Sequence, residues 1–287
     1  MNALILSVLC SSGLFIIFKY FEKFKVNTLH AIIVNYIVAG TCGLIDYGKP
    51  ISPASIIHYD WFIFSLILGL VFISTFNIMG ITAQKHGLSV VAVMSKMSVI
   101  IPIIVGILLY NENLGIYKII GILIALVSIY LVSTKPTNKT SNGNILFPIL
   151  VFLGGGFIDS FLKYIQTNYV SENEIPIFSA SLFFIAFGFG MLIIIYQAIK
   201  GNLEVHLRNI IGGVILGVVN YFSIYYLIKV IGNPNFDSST IFTLNNVSIL
   251  ISTTVLGWII FKEKLSKTNK LGIAMACIGL VLVSIEL

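Results

Sequence analysis

Lys96 sits in the run Met94-Ser95-Lys96-Met97-Ser98, nine residues into an apolar segment that begins near residue 88. A cation at the centre of a bilayer costs about 2.5–3.5 kcal/mol on insertion scales, and this position is too deep for the side chain to reach either interface. Such a charge needs a partner. One reading is functional: Lys96 meets an anionic group of a substrate or exchanges a proton during coupling. The other is a structural ion pair with an acid on another helix. Pro102, six residues on, cannot donate to the carbonyl of Ser98, which predicts a free acceptor one turn from Lys96, or simply a kink. Asp159 and Lys163 lie four residues apart, a spacing that suits an ion pair within one helix. The sharper alternative makes Asp159 the counter-ion of Lys96 or a proton site. Uncharged polar residues in other apolar runs complete a candidate binding set: Asn35 and Tyr36, Asn77, Asn220, Tyr221 and Tyr225, and Asn245, Asn246 and Ser248. The alternative role for each is interhelical glue, worth about 0.6 kcal/mol.

These residues stand in a chain of 287 residues that is 57% hydrophobic and only 10% charged, with a mean hydropathy of +1.02. A soluble domain carries about 25% charged residues, so lipid is the main solvent for this surface. Apolar runs recur near 2–19, 28–46, 60–84, 88–110, 115–133, 145–166, 175–198, 209–230, 238–261 and 268–286. Each is of a length to cross a hydrocarbon core of about 30 Å as a helix. The expected fold class is an all-α integral membrane protein with ten transmembrane helices. Ser89 reads as the N-cap of the fourth. Met1–Gly13 lacks the basic start of a signal peptide, and Leu9 stands before Cys10 where a lipoprotein site wants a small residue, so this segment reads as the first membrane helix.

The polar stretch 135–144 reads as a linker between two halves, 1–134 and 145–287. Sliding the chain by 151 residues aligns 95–133 with 246–284 without a gap, and ten of 39 positions are identical. They include Gly106, Glu112, Leu114 and Gly121 against Gly257, Glu263, Leu265 and Gly272, and Ser95 falls opposite Asn246. Weaker echoes join Lys19-Tyr20 to Lys163-Tyr164 and Leu68-Gly69 to Leu216-Gly217. Five helices per half is an odd number, so the halves enter the membrane from opposite sides. Two inverted five-helix repeats are expected, an architecture of secondary carriers.

Two such repeats, each with a Glu-x-Leu turn between a Gly-bearing helix and a Gly-rich last helix, resemble the EamA-type drug/metabolite transporter superfamily over essentially the whole chain. The resemblance implies a ten-helix carrier with a central cavity in the cell membrane, here an exporter of a small anionic or zwitterionic metabolite working by alternating access. No cofactor is implied.

Other classes fit less well. The four histidines, His30, His58, His86 and His206, sit at or near run ends, and the three cysteines lie in apolar runs without a CxxC pair, which is packing rather than metal chemistry. Neither HExxH, GxSxG nor a paired Asp site is present for an intramembrane enzyme, and no filter-like loop marks a passive channel. The net charge of +6 is scattered through short loops, unlike a nucleic-acid surface, and Gly154-Gly155-Gly156 is not followed by GK[ST] and reads as a packing site. Charge and resemblance disagree on orientation. With the N-terminus inside, as related carriers imply, only Lys49, Lys118, Lys163 and Lys229 would be cytoplasmic, against twelve bases on the other face. The positive-inside rule therefore predicts both termini outside.

Overall fold

The computed structural model describes residues 2–50, 52–86, 94–110, 115–133, 146–201, 206–233, 237–262 and 266–284. Among the described residues the only regular structure is helical. A bilayer core offers no water to backbone N–H and C=O groups, so a spanning segment must close its own hydrogen bonds. The principal helices are α1 (Asn2–Lys23), α2 (Thr28–Tyr47), α3 (Phe62–His86), α4 (Ile100–Tyr110), α5 (Ile116–Ser133), α6 (Leu146–Tyr169), α7 (Ile175–Ile199), α8 (Leu207–Ile231), α9 (Ser238–Phe261) and α10 (Lys267–Ser284). Among the described residues, seven helices are long and apolar enough to cross a membrane, and the segments 94–110 and 116–131 are apolar but shorter. The chain is a multi-pass membrane protein.

Local chemistry sets several boundaries. Asn27 accepts from the N–H of His30 and starts α2, and Gly48 ends it in a left-handed conformation with φ 65°. Ser171 and Glu174 form a capping box ahead of α7. The continuous helix expected over 88–110 is interrupted. Residues 94–97 are helical, Ser98 and Val99 form a turn, and α4 begins at Ile100. Pro102 has no N–H to offer, and the carbonyl of Ser98 is taken instead by the N–H of Ile101 at 2.9 Å, while the N–H of Val99 reaches Lys96 O at 3.4 Å. The acceptor expected to be free beside Lys96 is therefore occupied. Ser89, the Glu-x-Leu turns at Glu112 and Glu263, and the linker 135–144 lie outside the described residues.

The chain forms two compact units: unit 1 is Met1–Ser74 with Phe161–Gly232, and unit 2 is Thr75–Ser160 with Asn233–Leu287. Each unit draws helices from both halves of the sequence, so this division differs from 1–134 and 145–287. In unit 1, α2 packs between α7 and α8. A Cβ on Gly40 would lie 3.0 Å from the Phe184 ring, and one on Gly43 2.8 Å from Ala180 Cβ. As the number rises along α2 it falls along α7, so the two are antiparallel. Gly213 faces Val34, and a Cβ on Gly217 would lie 2.7 Å from both Val38 Cβ and the carbonyl oxygen of Asn35, so α2 and α8 run parallel. Gly69 of α3 faces α7 in the same way, where an added Cβ would lie 2.5 Å from Ile185 Cγ2.

In unit 2, α5 and α10 pack closely and antiparallel, since Gly121 meets Val283 and Gly279 while Gly279 meets Ala125 as well. The three glycines of α6 each receive a neighbour: Gly154 faces Thr75, Gly155 faces Ser98 and Gly156 faces Ile101. Side chains there would push these helices apart, which is the close-packing role of small residues in membranes.

Candidate functional site

Lys96 follows the helical residues Met94 and Ser95 and immediately precedes the turn that interrupts the fourth helix. Its Nζ donates to Asn246 Oδ1 of α9 at 3.2 Å, and Asn246 Nδ2 in turn donates to Phe242 O at 3.1 Å. The amide is oriented by its own helix and presents its oxygen to the cation. Lys96 is half-buried, whereas Asn245 and Asn246 are buried. Asn246 gives Lys96 an amide oxygen in hydrogen-bond contact, and the charges of Lys96 and Asp159, both in unit 2, act favourably on each other. Ser95 contributes its carbonyl to the Ser98 hydroxyl at 2.7 Å. Asn77, in the part of α3 that belongs to unit 2, is half-buried.

Ser248 of α9 is half-buried and also belongs to unit 2, and the remaining candidates belong to unit 1. Asn220 Nδ2 donates to Asn35 Oδ1 at 3.1 Å, and Asn35 Nδ2 donates to Ile32 O at 3.3 Å. This pair joins α8 to α2. The Tyr221 hydroxyl donates to Asp46 Oδ2 at 2.6 Å, and its ring lies 5.8 Å from that of Tyr225. Tyr36 is fully buried, with its ring stacked 6.2 Å from Phe183. Lys163 donates to the carbonyl of Ile231 at 2.9 Å, where α8 ends and a cation suits the free carbonyls. The sequence candidates thus sort into two sets, with the charged set around Lys96 in unit 2.

The description "EamA-like transporter family" belongs to the family model that matches residues 2–134. This stretch of the chain belongs to the EamA-like transporter family. The chain is 30% identical over 285 residues to a protein of Haemophilus influenzae described as uncharacterized, covering 95% of this chain and 94% of the relative. A solved crystal structure superposes with a TM-score of 0.77 over 99% of this chain and 96% of its own, at 11% identity, a likeness of fold. The family is one of membrane transporters, so the polar groups of this EamA-like chain are read against transport.

Two polar contacts in this EamA-like chain were not legible as partners in its sequence. Lys118, at the start of α5, lies 2.5 Å from Asp237, which precedes α9. An acid just before a helix reads as a cap, yet Asp237 makes no side-chain cap bond and spends its carboxylate on Lys118. Asp46 likewise looks like a helix-end group until the fold brings Tyr221 to it. The one hint was positional: Lys118 aligns with Asn269 in the duplication, and Asn269 also reaches across helices, to Leu131 O at 3.3 Å.

Proposed function

We propose that this chain is a secondary transporter of the cell membrane, an exporter of a small zwitterionic metabolite, built as two inverted five-helix repeats and working by alternating access around Lys96. The observation that carries the reading is the Lys96–Asn246 hydrogen bond. The two residues are 150 apart in sequence, and the duplication is offset by 151. Each half therefore meets the other at nearly its own counterpart, as happens beside a two-fold axis. Counterpart helices α5 and α10 run antiparallel, as do α2 and α7, which suits an axis in the membrane plane. Gly69 and Gly217, matched by the Leu-Gly echo, each receive a β-branched side chain from the second helix of the opposite repeat, Ile185 and Val38. A polar group near such an axis is accessible to either side in turn when the repeats exchange conformations.

The charge balance favours a zwitterion. Lys96 and Asp159 offset each other, so an occupant bearing only an anion leaves a carboxylate unmatched in a medium where unpaired charge is costly. A molecule carrying both signs meets both. Proteoliposomes loaded with zwitterionic amino acids, and in parallel with monocarboxylates, test this. Saturable flux with counterflow is expected for the zwitterions. Lys96→Met should abolish it while insertion persists. Wild-type flux in that variant overturns the role of Lys96, and linear, unsaturable flux would make the protein a channel.

A further inference from the structure

The two ends of unit 1 carry opposite charge. At one end α1 and α7 finish while α2 and α8 begin, joined by the Asn27 N–H donating to Asn209 Oδ1 at 2.9 Å and by the His30–Gln197 side-chain bond at 2.9 Å. Lys23, Lys25, Lys200 and Arg208 are exposed there, and Lys19 lies one turn inside. At the other end are Asp46, Asp60, Glu172 and Glu174 against Lys49 and Lys229, and Lys229 is 3.4 Å from Glu172. The basic end thus carries five basic residues against Glu22 and Glu204 of the same connections, while the acidic end carries four acids against two lysines.

The same end marks where hydrocarbon gives way to headgroups. Ile199 is 80% exposed beside Lys200, Leu207 is 70% exposed beside Arg208, and Phe24 is 59% exposed between Lys23 and Lys25. Large apolar side chains open to the surroundings next to cations fit acyl chains on one side and anionic phosphates on the other. Lys200 Nζ stands 4.6 Å above the Tyr196 ring, and Lys23 Nζ lies 5.9 and 5.8 Å from the Tyr20 and Phe24 rings. Aromatic rings thus hold these ammonium groups at the level of an interfacial belt.

We infer that this end of unit 1 is a docking surface for anionic lipid headgroups and is the cytoplasmic end of that unit. Anionic lipids are concentrated in the cytoplasmic leaflet, and basic flanks are retained on that side. Because α1 runs from Asn2 towards this end, the N-terminus lies across the membrane from the cytoplasm. The inference is independent of the transported solute.

Single cysteines in a chain whose Cys10, Cys42 and Cys277 are replaced by serine test the orientation. Asn173→Cys marks the acidic end and His206→Cys the basic end, both at exposed positions. With an impermeant maleimide on intact cells, at least tenfold more labelling is expected at Asn173→Cys than at His206→Cys, and the difference should vanish after permeabilisation. The reverse order, or equal labelling of both in intact cells, overturns the assignment. For the docking surface, thermal unfolding is compared in phosphatidylcholine vesicles with and without phosphatidylglycerol. Phosphatidylglycerol should raise the midpoint in the parent chain and not in the Lys23→Gln, Lys25→Gln, Lys200→Gln, Arg208→Gln variant. Free inorganic phosphate should leave both unchanged. An equal rise in the variant, no rise in the parent, or an equal rise with phosphate alone refutes lipid docking.

Discussion

Lys118 has a side chain only 3% exposed while that of Asp237 is 47% exposed, so the two ends of this ion pair respond differently to removal. Asp237→Asn strands a buried cation, at a cost of about 3–5 kcal/mol. Lys118→Met leaves a carboxylate that water can solvate, and should cost below about 1 kcal/mol. Unfolding of the two variants in detergent checks this asymmetry; equal losses would mean that Lys118 is solvated in the native protein. Lys96 was legible from sequence because depth alone makes a membrane lysine conspicuous, and Asn246 because the duplication set it opposite Ser95. The Lys118–Asp237 pair was not, since each residue lies near a helix end, where an isolated charge has an ordinary explanation.

Between helices, the contacts that fix spacing are made by glycines. A Cβ on Gly69 would sit 2.5 Å from Ile185 Cγ2 and 3.2 Å from the backbone nitrogen of Ala186, and neither helix can give way freely. Gly69→Val and Gly217→Val should each destabilise by roughly 1–3 kcal/mol through overpacking. Gly188 has nothing within 4 Å of the added carbon, so Gly188→Ala should be neutral or stabilise by up to about 1 kcal/mol. Denaturant unfolding of the three variants separates these outcomes, and a neutral Gly69→Val would show that α3 and α7 are not closely packed. The helix positions were readable from apolar run length, because a span is set by bilayer thickness. The break at Ser98–Val99 was not. The sequence located the missing donor at Pro102, but the neighbouring N–H of Ile101 could reach the same carbonyl, and that depends on local backbone geometry.

For the whole molecule, the ten-helix reading requires an even number of crossings. Epitope tags at the two termini of the full chain should therefore be protected from, or accessible to, external protease together. One tag accessible and the other protected would mean that one of the shorter helices, such as α4 or α5, does not cross. The duplication was visible in sequence, but the two compact units were not, because each is assembled from helices of both halves and a linear repeat does not say which surfaces meet. The charge polarity of unit 1 has a further consequence during synthesis. In a cell with a negative interior, moving one elementary charge across the membrane against the potential requires about 2.3 kcal/mol per 100 mV. Glu22 and Glu204 offset two of the five basic residues Lys19, Lys23, Lys25, Lys200 and Arg208 in these connections, so the net amounts to roughly 7 kcal/mol per 100 mV, and the electric field favours the orientation inferred above. Dissipating the potential with an uncoupler while the chain is being made should produce a population with the basic end outside, detectable as new labelling of His206→Cys in intact cells.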